Sequence, residues 1–412
     1  MKRQPAVAFI MLTSLLDMIG IGLIIPVLPV LVGEFTSGRA TQAYSYGLLI
    51  VTFGIPQFLC APLLGALSDR FGRRPVLLLG IGGLGITFLV TGLTHSLAVL
   101  IGIRLLGGAL SANLAVAQAY VADITPPDKR TPALGKLGAM FGLGFVLGPM
   151  LGGLLGHIDI RLPFFAAAGM CALNWLYGLF VLPESHKVDP NTRITFARLN
   201  PFSALRGLAQ LHGIGPLVFA IVGANLAQFM LQAIWVLFTG FRFNWGPRDT
   251  GLSLFVVGLV AIVVQGGLLR VLLKHMGERK IVAAGLLSGT LAYALYGLVP
   301  DGWMLYCVIV ANFLAFASTV ALQGIVSKAA DPREQGRTMA ALTSLTSIAG
   351  MVAPVLGTFL LGQVLDLPRN DLRVGLPFFA ASAIELVSYA IAVRYFARHK
   401  SASPSPASQE KA

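Results

Sequence analysis

Charge is scarce in this chain. Only 11% of its 412 residues are Asp, Glu, Lys or Arg, and just 17 are acids, whereas soluble domains carry about 25%. An ordinary soluble globular protein is therefore excluded. Cysteine is equally sparse: Cys60, Cys171 and Cys307 stand far apart in apolar surroundings. They read as small apolar fillers, with no disulfide expected. The six histidines lie in or beside loops or at the ends of apolar runs. None is spaced with acids or cysteines as a metal or nucleophile site, so no metal, no cofactor and no enzymatic constellation is expected. No Gly-x4-Gly-Lys-Ser/Thr run occurs, which argues against an ATP-driven pump.

What is abundant is apolar residues, at 56%. A helix needs about 20 of them to cross a bilayer, and twelve such runs are found, at roughly 6–31, 45–67, 75–95, 97–122, 132–156, 162–182, 215–240, 251–273, 281–300, 303–327, 338–363 and 376–397. The expectation is an all-α membrane protein of twelve spans, with the lipid bilayer as its surroundings. The net charge of +13 is not spread evenly: of 30 Lys and Arg, 23 fall on the side of the N-terminus, six on the other, and Arg104 lies within a span. That asymmetry predicts both termini in the cytoplasm and makes a nucleic-acid partner unnecessary. The first run is too long for a signal-peptide core and should remain as a span.

The chain also repeats itself. Leu162-Pro-Phe-Phe-Ala-Ala-Ala168 opens the sixth span and Leu376-Pro-Phe-Phe-Ala-Ala-Ser382 the twelfth; Gly148-Pro149 pairs with Ala353-Pro354, and Gly72 with Gly277. Six intervening spans return each copy to the same side, so the repeats are parallel. The division that follows is a six-helix bundle over 1–182, a cytoplasmic linker over 183–214, a second bundle over 215–397 and a disordered tail over 398–412. Phe196, Leu199, Phe202, Leu205 and Leu208 recur every third residue in the linker and suit a short interfacial helix. No site is expected there.

Between the second and third runs stands Gly65-Ala-Leu-Ser-Asp69-Arg70-Phe-Gly72-Arg73-Arg74, followed by Pro75. A carboxylate among three arginines at helix ends can make charge-assisted bonds that form in one conformation and break in another; the plainer reading is a basic turn that sets topology. The spacing resembles the turn between spans two and three of the major facilitator superfamily, and the likeness runs from about residue 6 to 397. In the fifth span Gly144, Gly148, Gly152 and Gly156 recur every four residues, giving a smooth strip for close helix approach. With Pro149 and Gly153 the run resembles the antiporter motif of the superfamily's exporters, which implies export, although proton-coupled uptake by the same fold stays open. Within the superfamily the chain looks most like the tetracycline exporters, in Gln57-Phe-Leu-Cys-Ala-Pro62, Ala122-Asp-Ile-Thr125, Arg242-Phe-Asn-Trp245 and Ala341-Leu-Thr-Ser-Leu-Thr-Ser347. The resemblance implies a proton-coupled transporter of a small molecule, in the cytoplasmic (inner) membrane, acting as a monomer. Where those exporters carry a carboxylate in span three, a His in span eight and a carboxylate in span nine, this chain has Thr87, Ala261 and Gly289, which leaves tetracycline itself open.

Charges inside a membrane are costly and mark function by default. At ~1.5 Å per residue, Asp17 lies ~17 Å from one end of its span and Arg104 ~11 Å from the other end of its own. Both are thus near the midplane, either as a proton-coupling pair or as a static lock; the run Leu16-Asp17 to Pro29 and Arg104-x3-Gly108 resemble the corresponding spans of proton-coupled members. Glu385 is a third such charge, in a span that the resemblance places on the outside of its bundle. Asn225, Gln228, Gln232 and Trp235 share one face of span seven, as do Asn312, Phe316, Thr319 and Gln323 in span ten. These stripes suit the wall of a substrate cavity or hydrogen-bond glue between helices. Gln57, Asn113, Gln118 and Gln265 are further candidates for the wall.

Overall fold

A hydrocarbon environment offers backbone groups no partner, so each segment must satisfy its own N–H and C=O groups, which a helix does. The structure, a computed structural model, describes residues 7–111, 113–185, 213–329 and 335–399. Among these, every regular element is helical. The expected interfacial helix at 196–208 and the tail beyond residue 399 lie outside the described residues.

Seven spans are single helices: Arg39–Phe71, Arg73–Leu93, Arg130–Ile158, Leu162–Val181, Gly215–Phe243, Glu278–Leu298 and Gln335–Gly362 are spans 2, 3, 5, 6, 7, 9 and 11. Span 12 is Leu376–Arg398, entered through a short 3-10 turn, Leu372–Gly375. The other four are broken. Span 1 is Val7–Ile24 then Leu28–Gly33, split where Pro26 and Pro29 withhold N–H donors. Span 4 stops at Leu110 and restarts at Asn113, and span 10 stops at Ala311 and restarts at Phe313, with a bend of 40°. In span 8, Pro247–Val263 passes through a π-helical stretch, Val264–Leu268, into Leu269–Met276. Such a π-bulge opens the ladder locally.

Spans 1–6 pack among themselves, with 1 against 5 and 6, 3 against 6 and 2 against 4; spans 7–12 repeat this, with 7 against 11 and 12, 9 against 12 and 10. Two seams join the halves, span 5 against 8 and span 2 against 11. Gly72 and Gly277, the pair matched in sequence, each turn the chain between successive spans at φ 103° and 74°, a region closed to other residues without strain.

The seams close at one end only. Away from the basic face, Gly153 of span 5 lies against Gly251 of span 8, where an added Cβ would come within 2.9 Å of the facing Cα, and Gly156 meets Pro247. Gly47 of span 2 packs under Thr358 of span 11, Gly362 lies against Tyr44, and Gln363 Nε2 donates to Tyr44 Oη at 2.8 Å. Arg39 stacks over Phe241 at 5.0 Å. Toward the basic face, Gly135, Gly138 and Gly142 of span 5, Gly266 and Gly267 of span 8, Gly324 of span 10 and Gly336 of span 11 have no neighbour within 4 Å of an added Cβ. The described residues therefore form a V, shut at one face and open at the basic one.

Candidate functional site

The space inside the V is the site. Its larger part, about 570 Å³, is walled by Phe53, Gln57 and Phe58 of span 2, Phe229 of span 7, Gln323 of span 10, and Met339, Thr343, Thr346, Ser347 and Met351 of span 11. A second part, about 290 Å³, shares Ile50, Phe229 and Gly350 with it and runs to Phe145 and Pro149 of span 5 and to Gln228, Gln232 and Trp235 of span 7. A third, about 240 Å³, shares Tyr46 and Ile50 and ends at Phe88 and Arg104. The walls are mainly aromatic and aliphatic, with a few amides and hydroxyls, which suits a molecule that is apolar with scattered polar groups.

Of the candidate wall residues, Gln57, Gln228, Gln232, Trp235 and Gln323 come together here. Trp235 is pinned: its Nε1 donates to Ser253 Oγ at 2.9 Å and its ring meets Tyr296 edge-on at 5.2 Å. The other candidates lie elsewhere. Asn225 donates to Ile221 O on its own helix. Asn312 is buried at the break in span 10 and accepts from Ser288 Oγ at 2.9 Å, which makes it interhelical glue. Phe316 packs into the apolar cluster of spans 7, 9 and 10. Gln118 and Gln265 are exposed and are not among the residues lining these cavities. Sequence reasoning missed the aromatic half of the wall: Phe53, Phe58, Phe145 and Phe229 stand in apolar runs where nothing but packing separates a cavity wall from a lipid face.

The intramembrane charges are not a pair. Asp17, 5% exposed, takes its hydrogen bonds from Asn113, whose Nδ2 lies 3.3 Å from both carboxylate oxygens. This corrects the expected placement of Asn113 in the wall: it belongs to the acid. Gly80 of span 3 leaves the room that Asn113 fills. Arg104 instead lies over the Phe53 ring at 5.6 Å, and its Nε and Nη2 have no partner among the described residues. Its guanidinium faces the cavity. Glu385 does not face lipid; it is 4% exposed, between spans 12 and 9.

At the basic face the turn is tied on four sides. Arg73 pairs with Asp69 at 2.5 Å and with Asp123 of span 4 at 3.0 Å, and donates to Ser68 Oγ at 2.6 Å. Glu184 accepts the Arg73 and Arg74 backbone N–H groups at 2.8 and 3.1 Å, capping the first turn of span 3. A carboxylate there satisfies orphan donors and meets the positive end of the helix dipole. Arg74 donates to Leu179 O of span 6. Gly72 has no room for a Cβ beside the Glu184 carboxylate. Glu184 falls in the stretch read as a linker without a site; the structure corrects that. Gly65 has open space around it and Arg70 stacks on Phe71 at 5.3 Å.

In span 5 the glycine strip meets span 1 backbone to backbone. A Cβ on Gly148 would fall 2.6 Å from Gly22 Cα, one on Gly144 2.9 Å from Leu15 O, and Gly152 lies against Leu23 O. Gly153 points the other way, into span 8, so one helix is held closely on two sides.

Two bundles of six, a cleft between them and this turn at the basic face are found together with a sequence that matches the Major Facilitator Superfamily over residues 10–354. The chain belongs to that superfamily. This facilitator is 38% identical to the class C tetracycline resistance protein of Escherichia coli, over 85% of this chain and 89% of that one. It is 27% identical to multidrug resistance protein 2 of Bacillus subtilis strain 168, over 94% of each. In fold it is similar to a bacterial homologue of the human lysosomal transporter Spinster in its inward-facing, unoccupied conformation. That similarity has a TM-score of 0.74 at 18% identity, over 97% of this chain and 98% of that one. The protein is a multi-span transporter of the superfamily, with tetracycline resistance proteins among its relatives.

Proposed function

We propose that this transporter moves an amphiphilic, drug-like small molecule out of the cytoplasm against the inward flow of protons. The basic face lies in the cytoplasm and the protein sits in the inner membrane as a monomer, its two bundles rocking about the cleft. No catalytic step is involved. The observation that carries this reading is the cleft itself: Gln57, Gln228, Gln232 and Gln323 interleaved with Phe53, Phe58, Phe145, Phe229 and Trp235. Such walls let a ligand of mixed polarity bind from the basic side and leave when the far seams part. Tetracycline is the first candidate because of the relatives' names.

Asp17 is the proton-binding group of the first bundle in this reading. It lies near the midplane, and an acid held by one neutral amide changes charge readily when its surroundings change between dry and wet. Arg104 acts on it only in a conformation other than the one seen. The Asp69–Arg73–Asp123 cluster, with Glu184, ties helix ends of the first bundle together at the basic face; in this reading it favours the present arrangement of those helices and loosens for the other. The glycine strip of span 5 holds span 1 close within the first bundle, and the contact of Gly153 with Gly251 of span 8 is the smooth surface on which the halves turn. Everted vesicles loaded by the respiratory gradient provide the test. Tetracycline uptake that collapses with an uncoupler is the expected result, and uptake that persists unchanged without the gradient would overturn proton coupling.

A further inference from the structure

Glu385 is a buried acid that no structural duty explains. It caps no helix, and its Oε2 has no hydrogen-bond partner among the described residues. Its own helix is anchored without it: three residues before, Ser382 Oγ donates to Thr290 O of span 9 at 2.7 Å. Ser388, three residues after, lies against Gly223 of span 7. The carboxyl reaches across to Gly289 of span 9, where an added Cβ would sit 3.0 Å from Oε1. Glycine at 289 is thus what gives the acid its space. A buried carboxyl without a counter-charge costs more than an apolar side chain of the same size, so packing alone gives no reason to keep it.

One helical turn along the same face of span 9 stands Tyr293, and residues at i and i+4 are neighbours on a helix surface. Its hydroxyl donates to Gln228 Oε1 at 2.8 Å, and Gln228 lines the central cavity. A line therefore runs from the acid through a phenol and an amide to the cleft. The titratable groups that bear on Glu385 are Tyr293 and, behind it, Tyr296; among the described residues no cation of spans 7, 9 or 11 does so.

We propose that Glu385 is a proton-binding site of the second bundle, reached from the cleft when the Tyr293–Gln228 hydrogen bond opens. This rests on the proton-coupled reading given above and adds a second site to it. The step is a simple one: water in the cleft, as hydronium, gives a proton to Glu385 Oε2, and in the other conformation the carboxylic acid returns it to water. Only O–H bonds form and break. The closed phenol–amide bond keeps the loaded acid from losing its proton while the bundles move.

The test needs no substrate. The purified full chain in lipid nanodiscs is titrated with pH while the carboxylic-acid C=O stretch is followed by infrared difference spectroscopy in H2O and 2H2O. A titrating band that is lost in Glu385→Gln and kept in Asp17→Asn is the expected result. Tyr293→Phe should hasten its hydrogen–deuterium exchange. A Glu385→Gln spectrum identical to that of the wild type would overturn the proposal, as would a Glu385 band that stays constant across the pH range. If Glu385→Gln does not yield folded protein, Gly289→Ala crowds the same carboxyl and should shift the band; an unshifted band counts equally against it. Should the band behave as expected while an uncoupler leaves tetracycline uptake untouched, the site stands and the proton-coupled reading falls.

Discussion

In span 4 the helix breaks and restarts at Asn113; in span 10 it breaks and restarts just after Asn312. The two asparagines stand beside these breaks without being equivalent: at the offset that pairs Gly72 with Gly277, the counterpart of Asn113 is Ser318, which lies against Gly285 as Asn113 lies against Gly80, and each asparagine serves a different partner. Asn113 gives its amide to Asp17 of span 1, and Asn312 accepts from Ser288 of span 9. The first bundle thus holds its acid with a hydrogen bond, while in the second the Glu385 Oε2 has none among the described residues. The turns differ in the same sense. Around Gly72 a network joins spans 2, 3 and 4 with Glu184; around Gly277, among the described residues, the charged contacts include an exposed Lys328–Glu278 pair at 2.5 Å and the Arg279 bond to His399 O at 3.2 Å. Duplication supplied two copies of one scaffold, and the polar side chains placed on them give the described residues of the two copies different contacts.

The strongest way to break this comparison is at the acids. Asp17→Asn should abolish uphill tetracycline efflux in everted vesicles while insertion and downhill exchange survive, because an amide keeps the bond to Asn113 but cannot carry charge. Full proton-driven efflux by that variant would remove Asp17 from the coupling.

Next in size is the glycine strip. Gly148→Ala forces a methyl into the Gly22 backbone and should cost about 1–3 kcal/mol by overpacking, lowering the thermal midpoint of the detergent-solubilised protein. Gly142→Ala, a turn and a half away with open space around it, should leave the midpoint unchanged or raise it slightly through helix propensity. In the second bundle Gly350→Ala meets only the Phe229 ring at 3.5 Å and should be tolerated.

The turns come third. Asp69→Ala should slow turnover severalfold with ligand affinity little changed, because it removes one arm of a network that favours this conformation. Glu278→Ala breaks an exposed pair worth about 0–1 kcal/mol and should leave turnover alone. Equal losses in both variants would show the two turns to be equivalent.

The smallest effect belongs to the loop before span 12. Hydrogen bonds from the Arg373 side chain and backbone hold the Asp371 carboxyl down at about 2. Its contribution to stability is therefore present above the ordinary carboxylate value and is lost only as pH falls toward 2. In Arg373→Ala the side-chain bonds are lost while the backbone bond and Arg242 remain, so the Asp371 carboxyl should move part of the way back toward roughly 4, seen as a small change in the acid limb of the unfolding midpoint.

Twelve spans, the parallel repeat and the charged turn were all legible in the residues, because bilayer thickness and the scarcity of charge leave an apolar run of that length one option, and because Gly72 and Gly277 mark turns by their chemistry. The glycine strip was legible too, as spacing; that it faces span 1 with Gly148 and span 8 with Gly153 was not. Asp17, Arg104 and Glu385 announced themselves by being charged within apolar runs. Their partners did not, since Asn113 is 96 residues from Asp17 and Glu385 meets Gly289 across the bundle. Periodicity put Asn225, Gln228, Gln232 and Trp235 on one face, but a face 3.6 residues per turn wide says nothing of what it looks at; tertiary packing sent Gln228, Gln232 and Trp235 to the cleft and Asn312 to Ser288. The sequence by itself determined which segments cross the membrane, since that depends on transfer from water to hydrocarbon, a property of each segment alone. Which buried polar group answers which, and where the halves part, depends on the packing of helices distant in the chain, and only the tertiary structure decided it.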